Sequence, residues 1–290
     1  CIRDRLRLDL TGYEKLMAAQ RANAKKESRF EALLPTAIDL DDETKFVGYE
    51  DSSTESEIKL IFKDGKEVKS AQEGECMIVL NSTPFYGESG GQVGDKGKLY
   101  AKGLEIEVLD TQKVGNFHLH ISKIKKGTLN LNDKVKAEIN TERRRAIVSN
   151  HSATHLMHSA LRNILGKHVQ QKGSLVNEEK LRFDFSHKQK LTESEILKVE
   201  QEVNQAISSS EDTQIIETSI EESQKLGAIA FFGEKYGEQV RVLKIAGDYS
   251  TELCGGTHVK NSSEIKSFKI ISETSICLLY TSDAADESSS

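Results

Sequence analysis

Two short motifs about a hundred residues apart constrain this chain more than any other feature. His151 and His155 stand in HSATH, and Cys254 and His258 stand in CGGTH. If the four side chains close around one ion, the whole stretch between them must fold back on itself. In an α-helix, residues four apart lie on one face roughly 6 Å from each other, so HSATH offers two imidazoles to a single cation. Asn150 to Gly166 carries Ala153, Leu156, Met157, Ala160, Leu161, Ile164 and Leu165 at helical spacing, which predicts a helix that stops at the glycine. The second pair sits in a run too rich in glycine for a helix. There Gly255 and Gly256 let the backbone fold tightly, so that both side chains turn the same way. A thiolate with three imidazoles suits tetrahedral zinc, whereas magnesium and calcium take oxygen ligands. Spacing alone leaves the alternative open, because an HxxxH pair also occurs on ordinary helices as satisfied surface or core histidines.

A chain of 290 residues is long enough for two domains with separate cores. With 30% charged and 37% hydrophobic residues, it contains no apolar run near the eighteen or so residues that cross a membrane. Cys1, Cys76, Cys254 and Cys277 are scattered without a disulfide framework, and no secretory leader precedes them. The expected setting is therefore a reducing cytoplasm, where thiolates stay free for metal. The net charge of −6 argues against a general nucleic-acid binder. From Glu142 to Lys190, however, ten basic residues face four acidic ones, a local surplus of six around the HSATH helix. These basic residues, among them Arg143, Arg144, Arg145, Lys172 and Arg182, form either a track for phosphates or a solvated face.

Three structured parts follow from the pattern along the chain. Tyr13, Leu16, Met17 and Ala24 suggest a helix over Gly12 to Leu34 that ends near Pro35. Between about Thr36 and Asn140 come short β-type runs, including FVGYE, IKLIFKDGKEV, CMIVLNST, KGKLY, LEIEVLDTQ, FHLHISKI and KVKAEI. Asp64-Gly65 between two alternating runs signals a hairpin, and strands at this spacing favour a small barrel or sandwich. Phe85 to Gly97 holds five glycines in thirteen residues, which suits a loop pressed close to another surface or simply a series of turns. His118 and His120 share one face of their strand, as exposed residues or as a second ligand pair. From Arg143 onward, helices and strands mix. HVQQKGSLV and KLRFDFSH read as paired strands, Thr192 and Glu195 form a capping box for a helix over Glu193 to Ser209, Glu221 to Leu226 reads as a short helix, and QVRVLKI as a buried strand leading to CGGTHV. Arg182 and Asp184 alternate on one strand face, as an ion pair or as contacts to a nucleotide. The expected class is α+β, a small β-barrel domain followed by a two-layer α/β-sandwich domain.

HSATHLMHSALRNILGKHVQQKGSLV, RFDFSH and ELCGGTHV resemble the editing domain of the alanyl-tRNA synthetases. YGESGGQVGDKG resembles the glycine motif of the β-barrel domain that precedes it in that family. The likeness spans about Gly12 to Ile276. Threonyl-tRNA synthetases share the HxxxH and CxxxH patterns, but carry an arginine and a proline where Gly255 and Thr257 stand here, and lack the glycine-motif barrel. The resemblance implies a helical remnant of an upstream domain over 10–35, the barrel over 36–142 and a zinc-binding editing domain over 143–276. The segments 1–9 and 277–290 read as a non-native leader and tail.

What the resemblance implies for function is hydrolysis of tRNA(Ala) mischarged at its acceptor end with serine or glycine. ATP-dependent attachment of alanine belongs to an aminoacylation portion outside this stretch. It also implies zinc held by His151, His155, Cys254 and His258, with Thr154 meeting the serine hydroxyl and Gln171 orienting the ester or the attacking water. An i−4 bond to the helix backbone is the plain alternative for Thr154, and an exposed strand position that for Gln171. Other readings are a free-standing trans-editing deacylase and a non-catalytic, zinc-stabilised tRNA-binding module.

Overall fold

In a computed structural model of the chain, the described residues are 43–229, 237 and 239–274. The helix expected over Gly12 to Leu34, the leader, the tail, Cys1 and Cys277 lie outside them.

Before residue 140 the described strands are β1 (Lys45–Phe46), β2 (Ser53–Lys63), β3 (Lys66–Glu67), β4 (Ser70–Leu80), β5 (Ser82–Thr83), β6 (Gly97–Ala101), β7 (Leu104–Val114), β8 (Phe117–Asn130) and β9 (Lys134–Ile139). Six of them run in the order β2-β4-β8-β7-β6-β9, and β9 pairs back onto β2, so the sheet closes into an antiparallel barrel. Closure leaves these strands without a free edge. The alternation visible in LEIEVLD is what fills the barrel: Leu104, Ile106 and Val108 are buried while Glu105 and Glu107 face out. Ile58, Ile61, Ile78, Phe85 and Leu99 join them, each contributing about 1.5–3 kcal/mol by leaving water. Asp64 and Gly65 both take positive φ, 53° and 74°, which gives the hairpin turn between β2 and β3 its matching twist.

The rest of the described chain is built from α1 (Thr141–Leu165), β10 (Gln171–Val176), β11 (Leu181–Phe185), α2 (Glu193–Ser208), β12 (Gln214–Ser219), α3 (Ile220–Lys225), β13 (Gln239–Ile245) and β14 (Ser250–Leu253), closing with a 3-10 turn at Ser262–Ile265. β10 pairs antiparallel with β11, and β12-β13-β14 form a second antiparallel sheet. α1 and α2 pack on each other over a core of Leu156, Ala160, Val199, Val203, Leu243 and Ile245. A barrel followed by helices layered on sheets is the α+β arrangement expected from the sequence. The capping box is present at Thr192 and Glu195. β12 was not foreseen: its exposed residues, Gln214, Ile215 and Glu217, leave no clean alternation to detect.

α1 begins nine residues before the expected start. Its first turn, Thr141 to Arg144, has no apolar period, but Asn140 caps it by accepting from the Arg143 backbone N–H. Two arginines then fasten this turn to the barrel. Arg143 donates to the carbonyl of Gly94 at 2.8 Å and pairs with Glu178. Arg144 is buried; its Nε donates to both oxygens of Asp95 at 3.0 Å, and its remaining nitrogens donate to the carbonyls of Gly48 and Pro84. Arg144 is thus removed from any phosphate track, since its guanidinium is spent inside the protein.

Candidate metal centre

His151 and His155 both sit on the buried middle of α1, one turn apart, with ring centroids 5.1 Å from each other. Cys254 follows β14 directly, and its loop turns His258 back so that Nε2 lies 3.3 Å from Sγ. The Sγ is 3.6 Å from Nε2 of His151. One ligand atom from each of His151, His155, Cys254 and His258 lies within 4.8 Å of the others. The glycines act as the sequence suggested, unequally. A Cβ on Gly256 would stand 2.5 Å from Nδ1 of His151, whereas one on Gly255 would meet nothing within 4 Å.

Each imidazole is oriented from behind. Nδ1 of His151 donates to Oε1 of Gln92 at 2.7 Å, Nδ1 of His155 contacts Glu252, and Nδ1 of His258 lies 3.4 Å from Oγ of Ser152. With Nδ1 engaged, Nε2 is the nitrogen turned to the centre, the arrangement that outer partners impose on metal-binding histidines. Glu252, 1% exposed, also takes Nδ1 of His158 at 2.7 Å, and His158 in turn packs on Phe183. Arg241 donates to the carbonyls of Cys254 and Gly256, at 3.0 and 3.1 Å, and so holds the loop in shape. Tyr49, from the barrel side, lies 4.3 Å from that guanidinium and donates its hydroxyl to the Gly255 carbonyl.

The electrostatics fit a cation. Burial alone would raise the Cys254 thiol, but His151, His258 and His155 outweigh it and hold the thiol well below its ordinary 9.0. Burial drives His258 down to about 3, against the pull of Cys254. For His155, burial acts downward, yet Glu252 and Cys254 lift it to about 10. Three imidazole nitrogens and one thiolate sulfur are a donor set suited to zinc.

A cleft of about 750 Å³ opens beside these groups, between the glycine-rich loop of the barrel and the Cys254 loop. Its wall includes Thr154 and Gln171. Thr154 makes the plain bond: its hydroxyl donates to the carbonyl of Asn150 at 2.8 Å. Gln171, half-buried at the start of β10, faces the cleft. Arg182 pairs with Asp184 at 3.2 Å, as the simpler reading held. His118 and His120 are a different case. His120 sits inside the barrel, bonded to Thr83 Oγ1 and the Ile78 carbonyl, and burial pushes it down to about 4. His118 stacks on Phe46, and burial pushes it to about 3. Neither stands near a third ligand among the described residues. Gln92, Glu252, Arg241 and Tyr49 were not anticipated. Two of them stand inside motifs already visible in the sequence, Gln92 as the single amide of the glycine-rich run and Glu252 at the head of ELCGGTHV.

Residues 2–143 match the family described as tRNA synthetases class II (A), and residues 240–277 match the threonyl and alanyl tRNA synthetase second additional domain. Over 272 residues the chain is 48% identical to the alanine--tRNA ligase of Idiomarina loihiensis, covering 93% of this chain and 31% of that protein. It is 47% identical over 282 residues to the alanine--tRNA ligase of Neisseria meningitidis, covering 95% of this chain and 32% of that protein. The chain thus spans about a third of the length of these relatives. On these matches, the chain belongs to the alanyl-tRNA synthetase family.

Proposed function

We propose that this part of an alanyl-tRNA synthetase hydrolyses the ester joining a wrongly attached serine or glycine to tRNA(Ala). The observation that carries the reading is the meeting of His151, His155, Cys254 and His258 at one point, where the first three line a cleft together with Thr154 and Gln171. In this reading the four hold zinc, the barrel covers 36–142 and the editing domain 143–276, and the setting is the cytoplasm. Attachment of alanine at the cost of ATP belongs to the intact enzyme. No helix among the described residues is long and apolar enough to cross a membrane.

A second site answers a limit of physical chemistry. A pocket shaped for alanine gains only about 1–3 kcal/mol of discrimination against an amino acid that differs by one small group. The cleft reverses the test by recognising the hydroxyl that serine has and alanine lacks. Thr154 gives its own proton to Asn150 and so keeps its oxygen lone pairs for a hydroxyl donor in the cleft. Gln171, whose amide both donates and accepts, orients the ester carbonyl or the water that attacks it. When bound, zinc supplies a fixed positive charge that draws helix and loop together and polarises neighbouring oxygens. Exposed members of the basic segment, among them Arg145, Lys167, Lys180, Lys188 and Lys190, supply counter-charge to the acceptor end.

The test is release of amino acid from matched seryl-, glycyl- and alanyl-tRNA(Ala) by the purified chain. Seryl-tRNA is expected to be cleaved well ahead of alanyl-tRNA, and Cys254→Ala to abolish the difference. Background release from all three by a folded, zinc-loaded sample would reject catalysis and leave a tRNA-binding module.

A further inference from the structure

We infer that Gln92, carried on the glycine-rich loop of the barrel, is a positioning residue of the metal centre, so that metal affinity and docking of this loop are coupled. The inference rests on the reading of the centre as a zinc site. Gln92 is fully buried, although it belongs to a loop of the barrel and the four ligands do not. Its Oε1 accepts from Nδ1 of His151 at 2.7 Å and from the Thr257 backbone N–H at 3.0 Å. Its Nε2 donates to Oγ1 of Thr257 at 2.9 Å. One amide therefore touches both halves of the ligand set, the helix face at His151 and the loop between Cys254 and His258.

The loop is itself pinned. The Val176 N–H donates to the Gly91 carbonyl at 2.7 Å, and the Val93 N–H donates to the Val176 carbonyl at 3.1 Å. Gln92 thus stands bridged in parallel to the end of β10. Gly91 has φ +83°, and a Cβ there would meet the Ser174 carbonyl at 2.7 Å, so this approach requires glycine. An oxygen held at Nδ1 fixes the proton on that nitrogen and aims the Nε2 lone pair of His151 at the centre. Because coupling free energy is reciprocal, whatever Gln92 contributes to metal affinity, the metal returns to the docked loop.

The test measures zinc affinity of the full chain by competition with a chromophoric chelator, and exchange of the two bridging amides, those of Val93 and Val176, with and without zinc. Gln92→Leu is expected to weaken zinc roughly 10–100-fold, the range for outer partners of metal ligands, and to remove zinc-dependent protection at those amides. Gln92→Asn keeps the polarity but withdraws the oxygen from His151, and is expected to weaken zinc as well if the leucine variant does not fold. Gln92→Glu keeps an acceptor at Nδ1 and is expected to stay within about threefold of the parent, a rescue that mere cavity filling does not give. Parental affinity and zinc-dependent protection in Gln92→Leu, or parental affinity in Gln92→Asn, would overturn the proposal. A parent chain that takes up no zinc would overturn the metal site itself.

Discussion

The two glycines of CGGTH give a sharp test of the centre, because they differ by one position and by everything that surrounds them. Gly256→Ala places a methyl 2.5 Å from Nδ1 of His151 and 3.1 Å from Oε1 of Gln92. Ordinary contact begins at 3.4 Å, so the ring must retreat by 0.9 Å at Nδ1 and by more at Cε1, which the methyl would approach still more closely. Zinc tolerates roughly ±0.2 Å in its ligand distances, so His151 is lost as a ligand unless the loop gives way instead. Structural zinc sites bind with about 10–16 kcal/mol shared among four ligands, so losing one costs about 3 kcal/mol, or roughly two decades of affinity. Gly255→Ala meets no atom within 4 Å and is expected to bind zinc as the parent does. Chelator competition supplies the affinities, and cobalt substitution reports the loss of one nitrogen ligand through the visible bands. Equal zinc affinity in the two variants would refute the placement of Gly256 against His151.

Arg144→Met leaves Asp95, 1% exposed, without its buried partner, and is expected to cost about 3–5 kcal/mol in urea unfolding; pairing it with Asp95→Leu should recover most of the loss. His120 is neutral in the folded barrel, at about 4 against an ordinary 6.5, so the unfolded chain takes its proton first as the pH falls. Its stabilising contribution is complete above about pH 6.5 and is lost towards pH 4, on the order of 3 kcal/mol. Unfolding free energies between pH 4 and 7 should therefore have a shallower pH slope in His120→Gln, and an unchanged slope would show that His120 does not carry it.

How much of this was legible in advance depends on whether a feature is fixed by local geometry. HSATH was readable because a helix sets the distance between positions four apart, whatever packs around it. The barrel was readable as strands because LEIEVLD and KVKAEI alternate, but closure depends on β9 meeting β2, Ser53 opposite Glu138, which no local pattern encodes. His118 and His120 were correctly placed on one face of β8. Which side of the sheet that face covers is a tertiary matter, and it turned out to be the interior. Gln92 and His151 are 59 positions apart, and their bond accompanies tertiary contacts, Arg144 with Asp95 and Gln92 with Val176, that hold the barrel loop against the rest of the chain. The start of α1 was missed for the same reason, since the arginines of its first turn are stabilised by partners on the barrel rather than by an apolar stripe.

The choice of a cysteine among the four ligand residues follows from buried charge. Glu252 lies behind His155 and His158, and burial would raise it, but these two imidazoles lower it, so it is a carboxylate. The half-buried Cys254 thiolate adds a second anion beside His155, and His155, lifted to about 10 by both, offsets only one of them with its proton. A buried excess of one sign is costly unless it is compensated. A divalent cation that takes the Nε2 lone pair of His155 displaces that proton and brings carboxylate, thiolate and ion to neutrality. A fourth imidazole in place of Cys254 would leave the same pocket with one surplus positive charge, and a serine would do so with a poorer ligand. Among divalent ions, a thiolate with three imidazoles then favours zinc over magnesium or calcium, which prefer oxygen. The charge of the pocket and the softness of its donors thus point to the same ion.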